Sequence, residues 1–343
     1  MFLKNLKKNM ILPKKEIFIN KIVNIRGIDV HLLSITLEDH KSVLWVMYQK
    51  PCCVDEEIYE EERIESRTNK DEMMNHMREG MNDINIYISE IIIQNQKMKF
   101  ISSSAGYVRD YEGYMKLQHF IEKGIDTTNW NEVHLDDIVI AAYEQKENEE
   151  FPKIDYSKKL DITLTVSEDF KEVLINQPIC LEFGEIERGN KFYFYDSIEK
   201  KNRIFYIDKI EHYDVWEEVE NTFEKEMMKV LSEEQVKEMK EGYLDVIEKN
   251  CPKGMNLAML EYETEDDIQL NFYSKKYLDD RPVQKSSSCS IMFFKSDREL
   301  GSNGFQSRLC KIKPVEKDFK GNIDVELFSW FKKIPEEIIK IEI

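Results

Sequence analysis

The segment KKEIFINKIVNIRGIDVHLLSITLEDHKSVLWVMYQK, residues 14–50, decides how the N-terminal part of the chain is expected to fold. Apolar side chains alternate with polar ones, or run on without a break, in three stretches near 17–23, 30–37 and 43–48. Alternation with a period of two is typical of a strand with one buried face. Short polar turns separate the stretches. Pro51 is expected to end the third strand, because proline cannot donate to a strand ladder. We therefore predict three consecutive antiparallel strands.

Beyond these strands the pattern changes to helices and then back to strands. Helical spacing of apolar residues and a closing Gly124 support the first helices in this part of the chain. Helices are predicted at 70–81, 110–123, 128–144 and, briefly, after Ser167; a hairpin is predicted at 84–102; further strands are predicted within 160–166, 179–213, 255–273 and 289–328.

Two helices in succession are predicted within 214–249. Apolar side chains recur every four residues throughout this range, which is the spacing of one helix face. Ser232 with Gln235 three positions later fits a capping box, so one helix ends just before Ser232 and the next begins there. The apolar faces are expected to be buried, with Phe223 and Met239 among them.

Strands followed by helices, twice over, favour an α+β fold: antiparallel sheets with helices packed on one face, in two similar-sized halves. The polar, proline-bearing stretch at 145–153 is the clearest change in composition and predicts a domain boundary. The expected domains are 1–150, with residues 1–14 as a disordered basic tail, and 158–343, which contains the helical pair at 214–249.

The charge of the chain excludes one class of partner and favours another. The 343 residues include 49 Lys and Arg against 67 Asp and Glu, a net charge of −18. Sequence-independent binding of nucleic acid depends on cations that neutralise phosphates, so we expect no nucleic-acid partner. Seven basic residues against one acid in 1–26 leave −24 on the rest of the chain. No apolar run approaches a membrane span or a secretory signal, so no membrane partner is expected, and Met10 is an alternative start to Met1.

Six cysteines without a Cys-x-x-Cys pair read as reduced thiols in a cytoplasmic protein. No Cys and His residues have the short spacing of a structural zinc site, and we expect no metal and no cofactor. Cys180 is expected in a core strand and Cys251 at a helix C-terminus, where the helix dipole disfavours a thiolate.

The remaining motifs favour structural roles over chemistry. Residues 301–304 (Gly-Ser-Asn-Gly) read as a hairpin loop and not as a phosphate cradle, since a strand is expected on either side. His134-Leu-Asp-Asp137 is expected on the 128–144 helix, without the second cluster that a metal or acid–base site needs. The acidic run at 261–267 reads as a polar turn. These patterns name no catalytic residue, and they weigh against an enzyme without excluding one.

Three classes of function remain open. The first is a binding or regulatory protein, inhibitor-like or immunity-like, that engages a basic protein partner. The second is a hydrolase or transferase with a site assembled from dispersed residues, and the third is a structural subunit of a larger assembly. The acidic face of 211–248, with thirteen acids against four lysines, is the predicted partner surface. Its predicted binding residues are Glu217, Glu220, Glu224 and Glu234.

Overall fold

A computed structural model gives the structure of this protein. It describes residues 7, 9–50, 67–80, 86–186, 191–217, 232–282, 296 and 298–342. These residues form two compact units. The first unit lies within Met1–Glu60, Glu79–Phe170 and Lys333–Ile343, and the second lies within Glu61–Arg78 and Lys171–Lys332.

The described chain is built mostly from strands. In chain order the strands are β1 (Lys15–Ile25), β2 (Ile28–Glu38), β3 (Lys41–Gln49), β4 (Ile88–Ile93), β5 (Gln96–Tyr107), β6 (Ile138–Gln145), β7 (Ile162–Val166), β8 (Asp169–Glu182), β9 (Gly184–Glu185), β10 (Lys191–Asp196), β11 (Lys201–Tyr213), β12 (Met255–Thr264), β13 (Gln269–Ser274), β14 (Arg308–Glu316), β15 (Asn322–Ile334) and β16 (Glu337–Ile341). The helices are α1 (Asn69–Gly80), α2 (Tyr111–Glu122), α3 (Glu233–Asn250) and α4 (Lys275–Asp279), with short 3₁₀ turns at Thr128–Trp130 and Leu135–Asp137.

The α+β prediction is therefore wrong. The described residues form three antiparallel sheets with few helices, and helices do not form a layer on one sheet face. The error arises because the four-residue spacing that marks helices is strong where it occurs, whereas short strands between turns leave a weaker pattern.

The first unit is an eight-stranded, nearly closed, barrel-like sheet in the order β1-β2-β3-β6-β5-β4-β7-β16. All eight strands contribute buried apolar side chains to one inner cluster, from Ile17 to Ile341. Arg26, in the turn after β1, donates to the backbone carbonyls of Ser167 and Pro335, which border β7 and β16. The two ends of the sheet are thus brought near each other.

Helix α2 covers part of the outer face of this sheet. Phe120 of α2 is fully buried against outward-facing side chains of β3 and β6, Trp45 and Ile140 among them. Asp110 caps the helix by accepting from the backbone N–H of Gly113 at 2.9 Å, and Gly124 closes it with φ +85°. The helix predicted at 110–123 is confirmed.

The helix predicted at 128–144 is wrong, since β6 occupies its second half. The run from Ile138 to Tyr143 is apolar without alternation because both faces of β6 are buried. Ala141 and Tyr143 point into the barrel-like sheet, and Ile140 and Ala142 point towards α2. A continuous apolar run fits a doubly buried strand as well as a helix, and periodicity alone does not separate them.

The second unit contains two further sheets with a shared core. One sheet has the order β10-β11-β12-β14, with β9 paired to β11, and the other has the order β13-β15-β8. Side chains of both sheets meet in one cluster that includes Phe205, Tyr262, Phe272 and Trp330. The short helix predicted after Ser167 is wrong, because those residues begin β8.

Several local predictions are confirmed. Strands β1, β2 and β3 form the expected meander, with Val30 opposite Tyr48 in the β2–β3 pair. The hairpin at 84–102 is β4–β5, with positive φ at Gln94 and Asn95 in its turn. Within the predicted tail at 1–14, however, Ile11 is buried beside the outer face of β3.

The boundaries between the two units lie outside the predicted linker. The units divide after Phe170 and again after Lys332, whereas the stretch 145–153 lies inside the first unit. Gln96 bonds the backbone of Lys153 through both its side-chain atoms, at 2.7 and 2.9 Å, which ties the stretch to the β4–β5 turn. The domain limits 1–150 and 158–343 remain a prediction for limited proteolysis.

Candidate functional site

The predicted partner surface centres on helix α3, which begins at a capped N-terminus. The Ser232 side chain accepts from the backbone N–H of Gln235 at 3.3 Å, and the Gln235 side chain accepts from the backbone N–H of Ser232 at 3.1 Å. This reciprocal pair satisfies two N–H groups that a helix start leaves without partners. The capping box predicted from the sequence is confirmed, and it fixes where α3 starts.

Among the side chains described on α3, those of its last turns pack into the second unit. Ile247 and Cys251 are fully buried against Leu257 and Met259 of β12. The Trp216 indole N–H donates to the carbonyl of Cys251 at 3.2 Å and holds the end of the helix in place. The C-terminal part of α3 is therefore its anchor.

The first turns of α3 are exposed to solvent. The side chains described between Glu234 and Tyr243 are all exposed, and Met239 keeps 45% of its surface exposed. The prediction that Met239 is buried is wrong, and Phe223 lies outside the described residues. A spacing of four residues shows which side chains share a helix face, but here only the end of that face reaches β12.

The charge on α3 is mixed but remains negative. The helix carries six acidic residues and three lysines, a net charge of −3. Lys237 pairs with Glu241 at 4.0 Å and Lys249 with Asp245 at 2.6 Å, each one turn apart. Exposed pairs of this kind contribute only about 0.3–0.5 kcal/mol. Lysine is therefore interleaved with part of the acidic face, and Glu238 has no ion pair among the described residues.

The four predicted binding residues fall partly within the described chain. Glu217 is exposed, and its backbone N–H donates to the Asp214 carboxylate at 3.2 Å. Glu234 is exposed in the first turn of α3. Glu220 and Glu224 lie outside the described residues. As a group of four, these residues remain a predicted surface.

A second cluster consists of three buried carboxylates, and it was not predicted from the sequence. Glu261 and Glu263 share one face of β12, and Asp208 lies on the neighbouring strand β11. Ile207 pairs with Tyr262 and Lys209 with Glu261, so Asp208 is the additional residue of a β-bulge. All three side chains are buried. A bulge can redirect a side chain, and here it adds Asp208 to the acidic face of β12.

Backbone N–H groups of the loop at 298–307 satisfy two of these carboxylates. Glu263 accepts from the N–H of Asn303 at 2.9 Å and from the N–H of Phe305 at 2.8 Å. Asp208 accepts from the N–H of Ser302 at 3.2 Å. Burial and the nearby Glu263 raise the pKa of Asp208, and the Ser302 bonds oppose that shift. The two acids hold the tip of the loop onto the sheet.

Glu261 binds the two flanks of the same loop. It accepts from Ser307 Oγ at 2.5 Å and from Ser296 Oγ at 3.0 Å, and it pairs with Arg298 at 2.7 Å. Burial alone would raise its pKa, but the bonds from Arg298, Ser307 and Ser296 lower it to about 2. Glu261 is thus held as a carboxylate.

The carboxylate cluster holds a loop onto the sheet. Its oxygens accept from the loop, and Gly301 packs directly over Glu263 and Asp208. Within the described part of the chain, no group of three or more His, Cys, Asp or Glu side chains is arranged to bind a metal ion. The acidic run at 261–267 is therefore not simply a polar turn, as predicted, because its first residues belong to β12. The sequence signal for this cluster is the position of Glu261 and Glu263 on either side of Tyr262, which places both acids on one face of a strand.

The other candidate residues take up structural positions. Leu300 and Gln306 form an antiparallel bridge across 301–304, as expected of a hairpin loop, and the strand predicted before it at 289–295 lies outside the described residues. The helix expected to carry His134–Asp137 is absent there; a 3₁₀ turn takes its place, and His134 Nδ1 accepts from the Asp136 N–H at 3.4 Å.

The predicted places of two cysteines have different outcomes. Cys180 is exposed on β8 and not in the core, so its predicted burial is wrong. Cys251 lies at the end of α3, as predicted. Burial, and to a lesser extent the charge of Asp214, raises the pKa of its thiol. A raised pKa reduces the thiolate fraction and with it nucleophilicity.

Comparisons with known proteins identify no relative: no protein-family model, no curated protein and no solved structure matches this chain. None of the helices in the described ranges is both long and apolar enough to cross a membrane.

Proposed function

We propose that this chain is a binding or regulatory protein, and that the exposed part of α3 engages a basic protein partner. One observation carries the proposal. The side chains described between Glu234 and Tyr243 are exposed, and they include both carboxylates and the apolar Met239. A helix that is anchored at its C-terminal end, and whose described side chains between Glu234 and Tyr243 are exposed, offers an accessible face.

Charge and apolar surface have different roles in such a contact. An acidic patch raises the association rate of a cationic partner, and the effect falls as salt screens it. Over a Debye length of about 8 Å at physiological ionic strength, Glu234 and Glu238 act on the same approaching surface. Met239, with 45% of its surface exposed, supplies apolar area that holds the complex once formed. The matching partner surface is apolar with a basic rim.

A cytoplasmic location forms part of the proposal. The cysteines described at positions 180, 251 and 310 are all free thiols. Free thiols are the usual state in a reducing compartment. This supports the cytoplasm as the place where the partner is met.

The experiment is a titration of the ¹⁵N-labelled full chain with two synthetic amphipathic peptides, one built from Leu and Lys and the other from Leu and Glu. The Leu–Lys peptide is expected to shift the amide signals of 234–243, and its affinity should fall steeply with added salt. The variant E234Q/E238Q/E241Q should lose at least tenfold in affinity, because three charges that face the peptide are removed.

The matched control is E132Q/E147Q/E150Q, which removes the same number of exposed charges from the first unit. It should bind the Leu–Lys peptide as the unmodified chain does. Equal losses in both triple variants would show that only net charge matters. Equal binding of the two peptides, or shifts outside α3, would also refute the proposed surface.

A further inference from the structure

Strand β5 pairs with one described strand along its first part and with another along its second part. Its first part, Gln96 to Lys99, pairs with β4, and its second part, Phe100 to Tyr107, pairs with β6. The Tyr87 hydroxyl donates to the carbonyl of Phe100 at 3.2 Å, next to the end of the β4–β5 ladder. Beyond Phe100 the described strands leave the other edge of β5 without a ladder partner.

This open edge begins with a register shift between Phe100 and Ser102 and otherwise lacks the features that normally protect one. Exposed edges usually carry charged residues, proline or bulges, which discourage a further strand from pairing. The end strands of the same sheet have them: β1 carries two lysines and a register shift, and β16 carries Glu337 and Lys340. Residues 101–106 (Ile-Ser-Ser-Ser-Ala-Gly) contain no charge and no proline, and every one is exposed. Ile101 keeps 66% of its surface exposed.

A cleft lies beside the same edge. Ser104 and Gly106 stand opposite Ala142 and Ile140 on the outer face of the sheet, and their small size leaves a cavity of about 270 Å³ between the strands and α2. The other lining residues include Trp45, Tyr107, Asp110, Glu112, Gly113 and Lys116. This volume is below the roughly 300–1,000 Å³ of small-molecule sites, and it suits single side chains better than a whole ligand.

We propose that an extended peptide segment of a partner protein pairs with β5 along 101–106 and places one large apolar side chain in this cleft. Strand addition of this kind takes its affinity from backbone hydrogen bonds and its specificity from pockets for alternate side chains. Diagonal neighbours on adjacent strands lie about 7–8 Å apart, so a bulky side chain on the added strand reaches over Gly106. This surface belongs to the first unit and is independent of α3.

A peptide fits this edge better than a second copy of the chain does. Two copies joined through six residues each would bury much less than the roughly 1,200 Å² of a stable interface. They would also bring together two chains that each carry a charge of −18. A short peptide needs no such area, and one without acidic residues is not repelled.

The test uses a display library of short random peptides, selected against the folded full chain. Selected peptides should share one large apolar residue and lack acidic residues. Backbone N-methylation, scanned along the best peptide, should abolish binding at every second position, because alternate N–H groups of an added strand face β5. This alternation is specific to strand pairing.

Gly106→Val tests the cleft without disturbing the free protein. A Cβ at Gly106 meets no atom within 4 Å, and its φ is not positive, so the valine is accommodated and occupies part of the cavity. The variant should weaken the selected peptide at least tenfold. Tyr156→Ala, at a side chain with 77% of its surface exposed, is the control and should bind unchanged.

Three outcomes would overturn the proposal: no peptide enriched above background, equal binding to Gly106→Val, or N-methylation effects without alternation. A concentration-dependent dimer that Gly106→Val abolishes would show that the occupant is a second copy. The variant E234Q/E238Q/E241Q should bind the selected peptide normally, which separates this surface from the one proposed on α3.

Discussion

Gly301→Ala should destabilise the second unit strongly, because Gly301 lies directly against two buried carboxylates. A Cβ built at this position would lie less than 3.0 Å from Glu263 Cδ and Cγ and from Asp208 Oδ2. The new methyl group therefore displaces either the loop or Glu263, and both are held by the bonds from Asn303 and Phe305 to Glu263.

The magnitude follows from two contributions. Inserting a methyl group into a well-packed site costs about 1–3 kcal/mol. Each hydrogen bond to a charged group contributes about 1.5–3 kcal/mol, and we expect one of the loop bonds to be lost. Together they predict a loss of about 2.5–6 kcal/mol in the free energy of unfolding. For a unit of this size each kcal/mol shifts the Tm by roughly 2–4 °C.

Urea unfolding, followed by fluorescence and by circular dichroism, measures this loss. The control is Gly242→Ala in α3, where a Cβ meets no atom within 4 Å and where alanine should stabilise the helix by about 1 kcal/mol. A double-mutant cycle of Gly301→Ala with Glu263→Ala should show that the two losses are far from additive. Additive losses, or a loss below about 1 kcal/mol for Gly301→Ala, would refute the contact.

Three further predictions concern buried charge and the two ends of α3. Because the pKa of Glu261 is lowered to about 2, its contribution to stability should be complete above its ordinary pKa of 4.5 and lost as the pH falls towards 2; Glu261→Gln should flatten stability–pH curves in that window, and an unchanged slope would contradict this. Arg203→Met should cost about 3–5 kcal/mol in thermal unfolding, because it leaves the fully buried Asp196, now 2.8 Å away, without its cation; a loss no larger than that of an exposed pair would count against it. Ile247→Ala should cost about 2–5 kcal/mol and Met239→Ala less than about 0.5 kcal/mol in urea unfolding, and the reverse order would show that the helix faces are misassigned.

Local patterns predicted three parts of the fold. They are the meander at 14–50, the helix at 110–123 and the capping box at Ser232. In each case the turn or cap chemistry is contained within a few residues. These segments could be predicted because the information they need is local.

Burial on both faces led to the wrong prediction for β6. In β6 no polar position interrupts the apolar run, so the strand looks like a core helix. On α3, the reverse error placed Met239 in the core, because an apolar stripe says nothing about where its partner ends. Both errors come from reading the periodicity of a segment without knowing the packing around it.

Spacing alone could not predict the carboxylate cluster, because it shows only that Glu261 and Glu263 share one face of a strand. Asp208 joins Glu261 and Glu263 only because a bulge redirects it and because β11 and β12 pair in one register. Its donor, Ser302, is 94 residues away along the chain. Such contacts depend on strand order, and strand order is not visible in the local sequence.

Site-specific crosslinking in the native cell tests whether the exposed face of α3 binds a basic protein. A photo-reactive amino acid at Met239 reports on the exposed face of α3, and the same amino acid at Tyr156 is the control. The account predicts a crosslink to a basic protein from position 239 alone, and the loss of that crosslink when E234Q/E238Q/E241Q is added. Crosslinks to acidic proteins, the same products from both positions, or no product from position 239 would contradict it.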